Sequence, residues 1–230
     1  MMLNQQTSPL DRGGRFMNFE NLTYRRELNT ADMERMKIPQ RYWNARFDML
    51  TKDGGEESVY SYVSKYIDDL ETFRKSGAGF IFWGINGVGK SCGSVVLAKE
   101  FRRRGHTVLF MEASELKRMV IDKEYFDDTQ LYWDRARNVD LLVLDDFGKG
   151  IMDSTGFGAS LFDELIRARN ARKLPTIVTS NSNPRDWEKE FDLKKSTMST
   201  LRECTIPVHV TGEILRDLEG SKLKSMFFHN

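Results

Sequence analysis

Little in this sequence can hold a soft metal ion or a disulfide framework. Across 230 residues there are two cysteines, Cys92 and Cys204, and three histidines, His106, His209 and His229. None of these falls at metal-ligand spacing, so zinc-ribbon and disulfide-scaffold classes are excluded and free thiols are expected. No apolar run approaches the roughly 20 residues of a membrane helix. The first 20 residues, MMLNQQTSPLDRGGRFMNFE, lack the apolar centre of a secretory signal. A cytoplasmic protein without a membrane partner is therefore expected.

An excess of charge is also missing. Thirty-five Lys and Arg against 34 Asp and Glu leave a net charge of +1. Any contact with nucleic acid must then come from a local patch, because no global field supplies it. Hydrophobic residues make up 40% and charged residues 30%, which allows a substantial core and argues against disorder. The length suits one domain with a short appendage.

Residues 1–30 are polar, contain Pro9 and Gly13-Gly14, and read as a loosely ordered arm. A short helix is expected from Thr30 to Met36, capped by Thr30 and stopped before Pro39. Beyond the turn at Gly54-Gly55, apolar residues at Tyr60, Val63, Tyr66, Ile67, Leu70 and Phe73 have helical spacing, which predicts one amphipathic helix over 57–75.

From Ala78 the pattern becomes short apolar runs alternating with helical stretches. Strands are expected at 79–84, 107–112, 140–146, 175–180 and 205–210. Helices are expected at 90–104, 114–121, 129–137, 157–172, 185–191 and 194–203. Apolar strands alternating with helices imply a mainly parallel sheet covered on both faces, a three-layer α/β domain. Ligands on such sheets bind beyond the strand C-termini.

The strongest motif lies there. Gly84-Ile85-Asn86-Gly87-Val88-Gly89-Lys90-Ser91 fits G-x-x-x-x-G-K-[ST], with a strand before it and a helix after it. Its glycines allow the backbone to turn amide N–H groups inward, where a helix N-terminus cradles phosphates. Lys90 reaches the β- and γ-phosphates of ATP, and the Ser91 hydroxyl ligates Mg²⁺. The nucleotide-binding stretch is taken as Gly84 to Ser91 together with Cys92.

A second signal is Leu141-Leu142-Val143-Leu144-Asp145-Asp146. A buried strand ending in two carboxylates calls for a cation or substrate. Asp145 fits the acid that organises Mg²⁺, and Asp146 fits a residue acting on the attacking water. Capping of the next helix is the alternative for Asp146. Asn181, closing Thr179-Ser180-Asn181 after the fourth strand, is placed to orient water or sense the γ-phosphate; alone it would read as a turn residue.

These motifs, in this order, resemble the DnaC-like and IstB-like ATPases of the AAA+ class. The segment Ile38-Pro39-Gln40-Arg41-Tyr42-Trp43-Asn44-Ala45-Arg46-Phe47 looks like the opening of that family. Leu144 to Gly148, Leu174 to Asn181 and Leu201 to Val208 continue the likeness, which runs from about Lys37 to Arg216. It implies a P-loop AAA+ core with a five-stranded sheet and no helical lid domain. It further implies an ATP-dependent loader that engages a DnaB-type replicative helicase through its N-terminal part and touches single-stranded DNA through its core. The corresponding division is an arm at 1–50, an ATPase domain at 51–218 and a tail at 219–230. Self-association on ATP or helicase is a further expectation.

One departure concerns the helix before the last strand. Loaders usually carry arginines there that complete a neighbour's ATP site, yet Ser196 and Thr200 occupy those places and only Arg202 remains. Arg202 reads either as a catalytic substitute or as a surface arginine near a helix end. A glutamate is also usual at Asp146 in many AAA+ motors, so slow or conditional hydrolysis is expected. Rival readings are an IstB-type transposition helper on duplex DNA, a small-molecule P-loop kinase and a nucleotide-binding regulator that hardly hydrolyses ATP.

Two basic groups, Arg102-Arg103-Arg104 and Arg167/Arg169/Arg172/Lys173, read as solvated faces at helix C-termini. Over 114–137, Lys117, Arg118, Lys123, Arg135 and Arg137 are interleaved with Tyr125, Phe126, Tyr132 and Trp133. Such a mixture suits stacking on single strands or packing on a core equally.

Overall fold

The structure, a computed structural model, describes residues 26–116, 126–148 and 156–212. Five parallel strands form one sheet in the order β2-β3-β4-β1-β5: β1 Gly79–Trp83, β2 Val108–Glu112, β3 Leu141–Phe147, β4 Thr176–Ser180 and β5 Thr205–His209. The helices are α1 Thr30–Arg35, α2 Val59–Asp68, α3 Leu70–Ser76, α4 Lys90–Arg103, α5 Phe126–Asn138, α6 Phe157–Asn170, α7 Trp187–Glu190 and α8 Lys195–Cys204. The expected α/β architecture is present, with each strand within a residue or two of its sequence-derived bounds. Strands buried on both faces announce themselves as continuous apolar runs, as Leu141–Leu144 of β3 do, whereas β4 is buried throughout with only Ile177 and Val178 apolar.

The two faces of the sheet carry separate cores. Phe80, Phe82, Val95, Leu97, Phe101 and Val143 pack on one side. Ile81, Leu142, Leu144, Phe162, Leu165 and Trp187 pack on the other. Among the described residues, which end at Gly212, no helical lid follows β5. No helix among them is long and apolar enough to cross a membrane.

The single helix expected over 57–75 is instead two, α2 and α3, broken at Asp69 (φ −127°, ψ 48°). Aspartate competes with helical hydrogen bonding, and adjacent Asp68 and Asp69 weaken the helix where it breaks. Leu70 nevertheless stays fully buried, so the apolar stripe continues across the break.

The described part of the N-terminal 50 residues is packed against the sheet and α4. Met33, Met36, Ile38, Ala45 and Leu50 are buried in the first core. Asn29 and Asp32 form a reciprocal cap on α1. Asp32 is held by both Arg26 and Arg102. The Lys99 ammonium on α4 donates to the Trp43 carbonyl and, at 2.8 Å, to that of Ala45. Burial lowers the Lys99 pKa from its usual value. The apolar residues Phe16, Met17, Phe19, Leu22 and Tyr24 lie outside the described residues.

The basic groups are more committed than a solvated face. Arg104 donates to the Ile67 carbonyl, and Arg103 and Arg104 both pair with Glu100. Arg169 corrects the expectation most. It is 1% exposed, and its guanidinium donates to Thr176 Oγ1 and to the carbonyls of Ala136, Val139 and Pro175, at 2.7–3.0 Å. Burial lowers its pKa to about 9. It ties the end of α5 and the start of β4 to α6. Arg169→Ala leaves three carbonyls without that donor, so we expect about 3–5 kcal/mol of lost stability. Urea denaturation of the variant would measure it, and a loss under about 1 kcal/mol would show the staple to be dispensable.

Of the mixed aromatic and basic stretch, the described aromatics belong to the core. Trp133 is buried, Tyr132 donates its hydroxyl to Glu115, and Lys37 lies 3.7 Å over the Tyr132 ring. Lys117, Arg118, Lys123 and Tyr125 lie outside the described residues, as does the Phe126 side chain.

Candidate functional site

The loop after β1 turns through glycines. Gly84, Gly87 and Gly89 have φ of 142°, 88° and 97°, in the region that side chains avoid. Gly84 has a second reason to be glycine, because a Cβ there would lie 2.4 Å from the Val210 carbonyl oxygen. That close approach seats the end of β5 against the start of the loop. Val88 is buried, Ile85 is exposed, and Cys92 is buried at the first turn of α4.

Lys90 opens α4 and turns its ammonium back into the loop. It donates to the carbonyls of Gly84 at 2.8 Å and Ile85 at 2.7 Å and to Asn181 Oδ1 at 2.8 Å. The Asn181 amide donates in turn to Asp146 Oδ1 at 3.3 Å. Beside this chain, Ser91 Oγ donates to Asp145 Oδ1 at 2.7 Å. Lys90, Ser91, Asp145, Asp146 and Asn181, drawn from three segments of the sequence, therefore meet at the C-terminal ends of β1, β3 and β4.

Adjacent strand residues normally point to opposite faces of a sheet. Here the register between β3 and β4 shifts, pairing Leu144 with Val178 but Phe147 with Ser180. The extra residue is a bulge at the two aspartates, and Asp146 adopts φ 57°. This re-aims Asp146, so that it reaches Asn181 while Asp145 reaches Ser91. Thr179, opposite the bulge, holds it. The Thr179 hydroxyl donates to Asp145 Oδ1 at 2.6 Å and accepts from the Asp146 amide at 2.9 Å. Thr179 stands in the Thr179-Ser180-Asn181 run without an assigned role, because that role arises from the bulge.

Asp145 is 3% exposed, and burial raises its pKa against the opposing effect of the Thr179 and Ser91 hydroxyl groups. A cation at this carboxylate would favour the ionised form. A hydroxyl and a carboxylate 2.7 Å apart are hard oxygen donors. One such carboxylate beside phosphate oxygens suits Mg²⁺, which retains several waters, so the residues fit that ion. Among the described residues no group of three or more His, Cys, Asp or Glu could hold a metal alone.

Arg202 is not part of this cluster. It lies on α8, is 68% exposed in its side chain and pairs with Glu188 at 3.5 Å. Thr200 is buried and donates to the Ser196 carbonyl at 3.1 Å.

The profile of the family described as IstB-like ATP binding protein matches residues 16–216. The chain belongs to this family. Among solved structures it is similar to DnaI, at TM-score 0.64 and 19% identity, covering 78% of this chain and 94% of that one. It is similar to the DnaC helicase loader at TM-score 0.64 and 20% identity, covering 75% and 100%. AMPPCP-bound DnaA from Aquifex aeolicus shares the fold at TM-score 0.61 and 17% identity, covering 81% and 56%. No curated protein matches in sequence. The protein is thus an IstB-like, ATP-binding AAA+ protein with a P-loop, and it shares its fold with DnaI and with the DnaC helicase loader.

Proposed function

We propose that this IstB-like protein is a helicase loader that uses ATP as a switch. It binds ATP with Mg²⁺, engages a DnaB-type replicative helicase and helps place it on single-stranded DNA. The observation that carries the nucleotide half of this reading is the connected set Lys90–Asn181–Asp146 beside Ser91–Asp145. The likeness in fold to DnaI and DnaC supports the loading half.

Each residue then has a task. The backbone of Gly84 to Ser91 with Cys92 cradles the phosphates, and Lys90 offers them its ammonium. Ser91 and Asp145 hold Mg²⁺, which when bound neutralises charge on the phosphate oxygens. Asp146 orients the attacking water, and Asn181 links it to Lys90 and so to the γ-phosphate region. Thr179 keeps both aspartates in place. Arg202, exposed on α8 and paired with Glu188, takes no part in this set. The work belongs in the cytoplasm of a bacterial cell, whether encoded by the cell or by a phage.

The helicase contact is assigned to residues 1–50. Because Met33, Met36 and Ile38 are buried in the core, a cut at residue 50 would damage the ATPase fold itself. A variant beginning at Arg26 spares them and removes Phe16, Met17, Phe19, Leu22 and Tyr24. It is expected to bind ATP normally and to lose at least tenfold in helicase affinity, as when an apolar segment leaves its groove. Helicase retained at full affinity in a co-purification assay would remove the contact from residues 1–25.

The family match also favours a second reading, a transposition helper acting on duplex DNA. Parallel pull-downs with a replicative helicase and with a transposase distinguish them.

A further inference from the structure

At the end of the sheet opposite the ATP loop lies a cavity of about 420 Å³, lined by Arg35, Met36, Arg102, Thr107, Val108, Arg135, Asn138 and Val139. Three guanidinium groups and no carboxylate line it. Met36, Val108 and Val139 are buried and give it an apolar floor.

The neutral polar groups on its wall are already committed. Thr107 donates its hydroxyl to Asp140 at 2.7 Å, and Asn138 accepts from Arg172 at 2.8 Å while donating to Asp134 O at 2.6 Å. The arginines are not exhausted in this way. Arg102 uses Nε on Asp32, whose carboxylate it shares with Arg26. Arg135 uses one nitrogen on the carbonyls of Arg35 and Val108. Among the described residues, Arg35 has no carboxylate partner, and its side chain is exposed. Unused N–H groups over an apolar floor select an amphiphilic anion, with a flat apolar part and a charged oxygen-bearing part.

We propose that this cavity binds one nucleotide unit of a single strand, its base on the apolar floor and its phosphates on the three arginines. Guanidinium forks match phosphate oxygens in pairs. A duplex keeps its bases stacked inside and would offer this open depression only phosphates, so an unpaired strand is what can set a base on the apolar floor as well. An acidic peptide is the poorer fit because strand addition is blocked here. β2 is the edge strand, yet its Phe110 amide already donates to the Met36 carbonyl at 2.8 Å. A chain with a net charge of only +1 needs such a local cluster to hold a polyanion at all. The inference rests on the proposed single-strand partner and assigns it a surface remote from the nucleotide site.

The test uses the full chain with ATP and a fluorescein-labelled oligothymidylate, titrated by anisotropy over a salt series. The exposed residue Arg35 is changed to Ala and to Glu, with ATP affinity and thermal melting as controls. One lost phosphate contact lowers the slope of log K against log salt by about 0.7. The affinity is expected to fall about tenfold for Arg35→Ala and further for Arg35→Glu, as for one charge-assisted contact. Arg135→Gln should act in the same direction, although it also loosens the Arg35 and Val108 carbonyls. If the wild type binds the strand and Arg35→Glu leaves both affinity and slope unchanged, this surface is wrong while the loader reading stands. If the wild type binds no strand, the single-strand part of that reading fails with it. Displacement of the strand from the cavity variants and wild type alike by poly-glutamate, with equal potency, would also overturn the assignment.

Discussion

Lys90→Ala is expected to abolish ATP binding while leaving the protein folded. In the structure the ammonium rests on the Gly84 and Ile85 carbonyls and on Asn181, all at 2.7–2.8 Å. These are contacts that arriving phosphates can replace, because an ammonium gains more from anionic oxygens than from carbonyls. A contact of that kind is worth about 3 kcal/mol, so at least a hundredfold of affinity should be lost. The fold should survive, because the loop conformation rests on its glycines and alanine is a good helix former at the start of α4. Calorimetric titration with ATP, beside circular dichroism melting, checks both halves. A folded variant with unchanged ATP affinity would remove Lys90 from the site.

Much of this arrangement could be read directly from the residues, and the reason is local chemistry. The loop Gly84–Ser91 needs particular residues at fixed spacing, and a buried parallel strand needs a continuous apolar run, so both leave a mark within a few positions. The missed features depend on residues distant in sequence. Nothing within Leu141–Phe147 shows that β3 bulges at Asp145–Asp146, because the bulge is defined by the register with β4. Thr179 therefore enters the sequence reading only as part of the run closed by Asn181, with no role of its own. Arg169 has the spacing of a helix C-terminal cation, yet its partners Ala136 and Val139 lie on the preceding helix and loop. The arm reading comes from the polar residues 1–30 with Pro9 and Gly13-Gly14, and local composition does not show that the segment after Thr30 is buried. Its burial follows from Lys99 and Arg102, some 70 residues away in the case of Arg102 and Asp32.

The remaining prediction concerns turnover, where two shortfalls combine. Asp146 is one methylene shorter than the glutamate usual in AAA+ motors, a displacement of roughly 1 Å for its oxygen, and misplacement of that size costs about 10²-fold in rate. The bulge and the φ of 57° recover part of the geometry by turning Asp146 toward Asn181, but they do not lengthen its side chain. The second shortfall is on α8, where Ser196 and Thr200 stand in the usual arginine positions and Arg202 pairs with Glu188. Loss of an arginine finger costs about 10³–10⁵-fold in related phosphoryl transfers. Neither change touches Lys90 or the glycine loop, so binding is preserved while chemistry slows. The isolated protein is expected to bind ATP well and turn it over below about 0.1 per second, far under the typical enzyme median. Asp146→Asn should reduce that residue of activity further, about tenfold or more, with ATP affinity nearly unchanged. A steady-state phosphate-release assay on the pure protein, without helicase or DNA, measures both quantities. Turnover of several per second would mean that Asp146, held by Thr179 and Asn181, is a competent base despite its length, and that ATP here drives a motor and not a switch.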